Sequence, residues 1–329
     1  MTPLRVLVAG TPEVAVPSLD LLVTDDRFTV VGVLTNPDRP RGRSRTPVPS
    51  PVAVRAAEHG LPVLRPERVA DAAGALTATG ADVGAVVAYG SILPPHVLDA
   101  LPLGFVNLHF SLLPRWRGAA PVQHAIRAGD AHTGVSAFHL DEGMDTGPVL
   151  RRLTVPIDED VDAGGLLDRL ARLGAPVLAD ALLARAAGEA GEPQPADGAT
   201  RAPRIGPDDA RIDWTADADT VARRVRSVTP RPGATTTLGG RRLKVAGARA
   251  GAASAAEAGP ARPGTVVAAD RDGLHVACGR GTVRIARVQP AGRAWAAAAD
   301  AVRGRLVTVG DVLGHADAST VPGDGDDDT

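Results

Sequence analysis

Cysteine is nearly absent: Cys278 is the only one in 329 residues. One thiol can neither close an internal disulfide nor build a thiolate metal cluster. Lysine is as scarce, since Lys244 stands alone and arginine fills the other basic positions. Aromatic residues make up 2% of the chain, which argues against a surface that grips nucleic acid by stacking bases. No apolar run reaches the ~18 residues of a membrane span, so no membrane partner is expected. The start, Met1-Thr2-Pro3-Leu4-Arg5, enters a strand-like run without the segments of a secretory signal. A cytoplasmic location is therefore expected. Two motifs are also missing. Gly10-Thr11-Pro12-Glu13 has no second glycine for a pyrophosphate, and Glu13 would repel one, which disfavours a nicotinamide dehydrogenase. No Gly-x-Ser-x-Gly elbow occurs, so Ser111 is a poor nucleophile candidate.

What is present is a globular composition, 44% apolar and 22% charged, long enough for two domains. Leu4 to Ala9 reads as a buried strand entering a turn, Val14 to Thr24 as a helix, and Phe28 to Thr35 as a second strand. Further strands are expected at Val83 to Tyr89, Gly104 to His109, Thr133 to Leu140 and Val149 to Pro156. Helices are expected at Ser50 to His59, Pro121 to Ala128 and Ala163 to Ala187. This alternation implies an α/β fold, a Rossmann-like doubly wound, mostly parallel sheet. Gly188 to Gly206, broken by Pro, Gly and Asp around Gln194, reads as a linker. After it comes a helix at Ala218 to Ser227 and then short strand-like runs split by Gly-rich turns, which suggest a small OB-like β-barrel. The expected division is 1–190, a linker at 191–206, 207–315, and a disordered acidic tail at 316–329. Basic residues outnumber acidic ones between Arg204 and His315, a plausible polyanion surface, whereas the tail holds five Asp. Arg223, Arg224, Arg226, Arg241, Arg242 and Lys244 are the expected basic face.

The most informative stretch is Phe105-Val106-Asn107-Leu108-His109-Phe110-Ser111-Leu112-Leu113-Pro114. Residues two apart in a strand share a face, so Asn107 and His109 point the same way. They stand near the carboxyl end of a sheet strand, where open α/β sheets bind ligands. A glycine-rich turn, Asp141-Glu142-Gly143-Met144-Asp145-Thr146-Gly147, could bring Asp145 to the same edge. An amide and an imidazole aimed at a carbonyl oxygen, with a carboxylate to hold the ring, suit acyl transfer to an amine without a metal. From the residues alone, satisfied structural polar groups remain an open alternative. A separate segment, Asp38 to Pro49, carries Arg39, Arg41, Arg43 and Arg45, and its Pro and Gly forbid a regular element. Guanidinium groups suit phosphate, and the alternative is a solvated charged loop.

Asn-x-His-x-Ser-Leu-Leu-Pro followed by Asp-x-Gly-x-Asp-x-Gly resembles the folate-dependent formyltransferase superfamily. Other segments resemble the members that formylate methionyl initiator tRNA. They are Ala9 to Leu19, Asn36 to Arg43, Pro114 to Pro121, Arg211-Ile212-Asp213-Trp214 and Thr229 to Ala234. The likeness covers nearly the whole chain except the acidic tail. Val14, Trp116 and Arg204 depart from it. The resemblance implies 10-formyltetrahydrofolate as co-substrate, no metal, and Asn107, His109 and Asp145 as the catalytic trio. It implies folate contacts at Tyr89, Gly90, Ser91 and Ile92, and at Ser111, Leu112, Leu113 and Pro114. It also implies tRNA contacts at Arg39, Arg43 and Arg45, with residues 1–190 binding folate and 207–315 binding tRNA. A monomer is expected. Two alternatives stay open: a superfamily enzyme acting on a small amine such as a sugar nucleotide or glycinamide ribonucleotide, and an RNA-binding module with a dead enzyme fold.

Overall fold

The computed structural model describes residues 2–40, 46–251 and 261–314. The chain divides into two compact units. The first contains residues up to Val122, Ala131–Pro156 and Leu166–Arg204, and the second takes Gln123–Asp130, Ile157–Gly165 and the chain from Ile205 onward. Residues 191–204, expected as a linker, thus lie with the first unit, and two earlier segments lie with the second.

The first unit is built on strands β1 (Leu4–Gly10), β2 (Phe28–Leu34), β5 (Val63–Leu64), β6 (Val83–Val87), β7 (Phe105–His109), β8 (His132–His139) and β9 (Val149–Pro156), in spatial order β5-β2-β1-β6-β7-β8-β9. The first five are parallel, β8 pairs antiparallel with β7, and β9 pairs antiparallel with β8. All five residues of β6, and the last five of β1, are buried, because a parallel strand covered on both faces needs a continuous apolar run. The chain moves from β1 outward to β2 and β5, then crosses to β6 and β7 on the other side. The gap between β1 and β6 is therefore the topological switch point, where ligands bind beyond the carboxyl ends. Its helices include α1 (Val16–Thr24), α2 (Pro51–Glu58), α3 (Ala73–Ala78), α4 (Pro95–Leu98) and, from Leu166 on, α6 (Ala163–Ala186), whereas most of α5 (Pro121–Ala128) belongs to the second unit. At Gly174 on α6 a Cβ would stand 2.9 Å from Leu108 Cδ2, so this glycine lets the helix lie close on the strand that carries the site.

Helix α2 starts at Ser50, whose hydroxyl accepts the Ala53 N–H at 3.0 Å and lies 2.8 Å from the Thr35 hydroxyl. Ser50→Ala removes a cap and a buried hydroxyl pair. It is expected to lower stability by about 1–2 kcal/mol, read as a lower urea midpoint with an unchanged slope.

One element was not expected. Arg39–Pro40 (β3) pairs antiparallel with Pro47–Val48 (β4), so a two-residue ladder closes the base of the arginine segment. Proline was taken to forbid any such pairing. The reason it survives is that a two-stranded ladder has only edges, where a missing N–H leaves no neighbour unpaired.

The second unit is antiparallel: β10 (Ala234–Leu238), β11 (Arg241–Gly251), β14 (Thr282–Pro290), β13 (Gly273–Ala277) and β12 (Val266–Asp270) lie in that order, and β15 (Ala296–Ala297) adds to β14. Helix α7 (Ala218–Ser227) inserts Val221 and Val225, one turn apart, into a core with Leu243, Val245, Leu274 and Ile285. Trp214 is buried there and its indole N–H donates to Thr236 Oγ1 at 3.0 Å. A short helix, α8 (Ala298–Arg303), follows β15.

Candidate active site

The site begins with β7. Asn107 pairs in register with Val86 of β6 and Phe138 of β8, and His109 with Ser136, so the two residues share a face of the sheet as their spacing required. The Asn107 amide has no hydrogen-bond partner among the described residues. His109 is buried, and its Nε2 lies 2.9 Å from the carbonyl oxygen of Trp116. A carbonyl only accepts, so Nε2 donates to it, and Nδ1 faces the Asp145 Oδ2, 3.7 Å away. The other contact of that carboxylate oxygen is the Gly118 N–H at 2.7 Å. The amide, ring and carboxylate are thus assembled from β7 and from the loop between β8 and β9. The Nε2 position is taken by the protein itself, through the Trp116 carbonyl.

A cleft of about 480 Å³ opens at the switch point, lined in part by Thr11, Asn36, Arg39, Tyr89, Ser91 and Arg204. Its wall is pre-ordered. Asn36 Nδ2 donates to Tyr89 O at 2.7 Å and to Thr11 Oγ1 at 3.1 Å, and Ser91 Oγ donates to Asn36 Oδ1 at 2.9 Å. Burial pushes the Tyr89 phenol pKa up, so the ring stays neutral. Of the segment expected to wall a folate, Tyr89, Gly90 and Ser91 line this cleft, and Ile92 stands 82% exposed beside it in sequence. Ser111, Leu112, Leu113 and Pro114 do not line it. Ser111 is fully buried with its hydroxyl donating to Arg115 O at 2.6 Å, and Leu113 packs on Phe138 and Val149. Arg39 lines the cleft, whereas Arg43 and Arg45 lie outside the described residues.

Backbone strain is concentrated here. Among the described residues four non-glycines adopt positive φ: Ala88 (47°), Trp116 (64°), Asp145 (55°) and Arg305 (54°). Ala88 lines the cleft, Trp116 supplies the carbonyl that holds His109, and Asp145 faces the ring. Such conformations disfavour a residue by ~1–3 kcal/mol and persist only where surrounding bonds enforce them.

On the second unit the expected basic face is mostly occupied. Arg224 donates to Arg211 O, Arg226 to Val161 O and Lys244 to Pro232 O, and burial lowers the pKa of the Arg226 guanidinium. Arg241 and Arg242, at the start of β11, are exposed. Cys278 is buried and its thiol is pushed up to about 12 by burial, which removes it as a nucleophile. Among the described residues no group of three His, Cys, Asp or Glu side chains could hold a metal ion, and no helix is long and apolar enough to cross a membrane.

Residues 4–182 match the family model described as formyl transferase, and residues 204–306 match the formyl transferase C-terminal domain. The chain belongs to the formyl transferase family. The methionyl-tRNA formyltransferase of Arthrobacter sp. (strain FB24) is 48% identical over 314 residues, 94% of this chain and 100% of that protein. That of Acidothermus cellulolyticus is 48% identical over 304 residues, 88% of this chain and 94% of its own. In fold, the chain is similar to HypX from Aquifex aeolicus in complex with tetrahydrofolic acid, with a TM-score of 0.63 at 16% identity, over 94% of this chain and 48% of that one. This formyl transferase also uses residues that sequence reasoning passed over. Thr200 Oγ1 accepts the Trp116 N–H at 2.9 Å, Ala202 N–H donates to Arg117 O at 2.7 Å, and Glu192 exchanges two 2.8 Å backbone bonds with Val149. The only sequence signal was Gln194, the residue around which the Pro, Gly and Asp interruptions of the expected linker cluster.

Proposed function

We infer that the chain transfers a formyl group from 10-formyltetrahydrofolate to the amine of methionyl initiator tRNA, giving formylmethionyl-tRNA. The observation that carries this is the 48% identity to a methionyl-tRNA formyltransferase along its whole length. The likeness spans both units, so it covers the acceptor-binding part as well as the chemistry. It gives no comparable support to a small-amine acceptor, and the intact Asn107, His109 and Asp145 speak against an inactive fold. The working unit is a monomer in the cytoplasm.

Bound 10-formyltetrahydrofolate supplies the formyl carbon. The cleft fits such a ligand, since about 480 Å³ lies inside the ~300–1,000 Å³ range of small-molecule sites. Tyr89, Gly90 and Ser91 offer an ordered polar wall, and Ile92 an apolar cover. Asn107 donates its free amide N–H to the carbonyl oxygen as charge gathers there, a contribution of about 2.7–4 kcal/mol for one such donor. His109 and Asp145 manage the proton. Nδ1 and the carboxylate face each other 3.7 Å apart, so the pair can pass a proton from the attacking amine to the departing nitrogen. Arg39 and Arg204 at the cleft, Arg43 and Arg45 in the arginine segment, and Arg241 and Arg242 on the second unit meet the phosphates of the tRNA.

The test is direct. The chain is incubated with 10-formyltetrahydrofolate and charged initiator tRNA, and the released amino acid is assayed for an N-formyl group. Formylmethionine is expected, with none formed from uncharged tRNA. Formylation of a sugar amine or of glycinamide ribonucleotide, with charged tRNA untouched, overturns the reading.

A further inference from the structure

The stretch between the two matched segments holds one side chain placed unlike its neighbours. Gln194 Oε1 accepts from Arg117 Nε at 3.1 Å and Nη2 at 2.7 Å, while its Nε2 donates to the carbonyl oxygens of Asp145 at 2.9 Å and Gly147 at 2.8 Å. A guanidinium only donates and a carbonyl only accepts, so the orientation of the amide is forced. All four of its hydrogen-bonding positions are filled. Its backbone neighbourhood is anchored on one side by Glu192 against Val149 and on the other by Thr200 and Ala202 against Trp116 and Arg117.

We propose that Gln194 is a positioning residue that holds Asp145 in its left-handed backbone conformation and so keeps the carboxylate against His109. The proposal rests on the formyl-transfer reading above. Asp145 at φ 55° would relax toward ordinary backbone unless both its ends were pinned. Gly118 pins the carboxylate at 2.7 Å, and Gln194 pins the carbonyl at 2.9 Å. Arg117 fixes the amide in turn, and the residue before it, Trp116, is the other strained position of the trio's surroundings. The same strap therefore reaches both groups that contact the imidazole: the Trp116 carbonyl through Thr200, and the Asp145 carboxylate through Gln194. An apolar or acidic residue at 194 leaves two carbonyls without donors and frees the loop to turn Asp145 away.

The test is a double-mutant cycle in the full chain. Gln194→Glu keeps an acceptor for Arg117 and loses both donors. It is expected to lower kcat between about 10- and 100-fold, with both KM values within about twofold of the parent. In an Asp145→Asn background the same change is expected to lower the residual kcat less than about twofold, because the group it positions is already disabled. Gln194→Asn, which retains a neutral amide one methylene shorter, carries the same cycle if the Glu variant does not fold. Equal factors in both backgrounds, or a parent-like kcat for a folded Gln194→Glu, overturns the proposal. A parent chain that does not formylate methionyl-tRNA sinks the functional reading instead, and the two failures are told apart by the parent control.

Discussion

Asn107→Ala is expected to lower kcat at least ~100-fold while leaving the melting temperature close to that of the parent chain. The reason lies in what the amide does in the free protein. It makes no hydrogen bond among the described residues, although it sits on a strand flanked by buried Phe105, Val106, Leu108 and His109. Removing a polar group that has no partner deprives no neighbour of one, so folding loses little. If the proposed reading holds, the same group is the open donor on the face that His109 occupies, so the loss is expected in transition-state stabilisation. Asn107→Asp, nearly equal in shape, replaces a donor by a negative charge beside developing negative charge and is expected to be at least as damaging. A steady-state kinetic assay paired with a thermal melt checks both halves. Full activity in folded Asn107→Ala would take the oxyanion role away from this residue.

Gly147→Ala reaches the site by a different route and combines two losses. A Cβ on Gly147 would stand 1.8 Å from the carbonyl oxygen of His139, a backbone atom of β8 with nowhere to go. The loop between β8 and β9 must then move, carrying Asp145, and the Gly147 carbonyl leaves Gln194. The expected result is a kcat about 100-fold down together with roughly 1–3 kcal/mol of lost stability. The combination separates it from Asn107→Ala, in which activity falls alone. Urea unfolding beside the kinetics makes the distinction, and parent-like values for both would show that the loop accommodates the methyl.

The parts of this molecule visible in the sequence are those written in local periodicity. The run of apolar residues in β1 and β6, the start and stop of α7 at Ala218 and Ser227, and the two-residue spacing of Asn107 and His109 all follow from side-chain alternation along one segment. Asp145 was reachable because glycines mark its loop. The orientation of His109 was not, since its partner is the backbone carbonyl of Trp116, and a carbonyl leaves no trace in the residue type. The partner of Ser111 was hidden for a similar reason: a hydroxyl near a strand end looks the same whether it faces a ligand or, as Ser111 does, a backbone oxygen. Gln194 and Thr200 escaped because their partners lie 47 or more residues away, and turn-rich composition concealed a strap that is hydrogen-bonded along its length. In the arginine segment Arg39 lines the cleft, while the β3–β4 ladder at its base depends on a pairing between prolines that propensity argues against.

The second unit is assembled from three stretches of chain, two of them short and early: Gln123–Asp130 and Ile157–Gly165. During synthesis these pieces leave the ribosome well before β14, the strand that bonds to both β11 and β13 and ends at Pro290. They must wait, without those eventual neighbours, until that strand has been made. A gene divided at Arg204 would consequently yield two incomplete pieces, and expression of either half alone is a poor way to ask what that half binds.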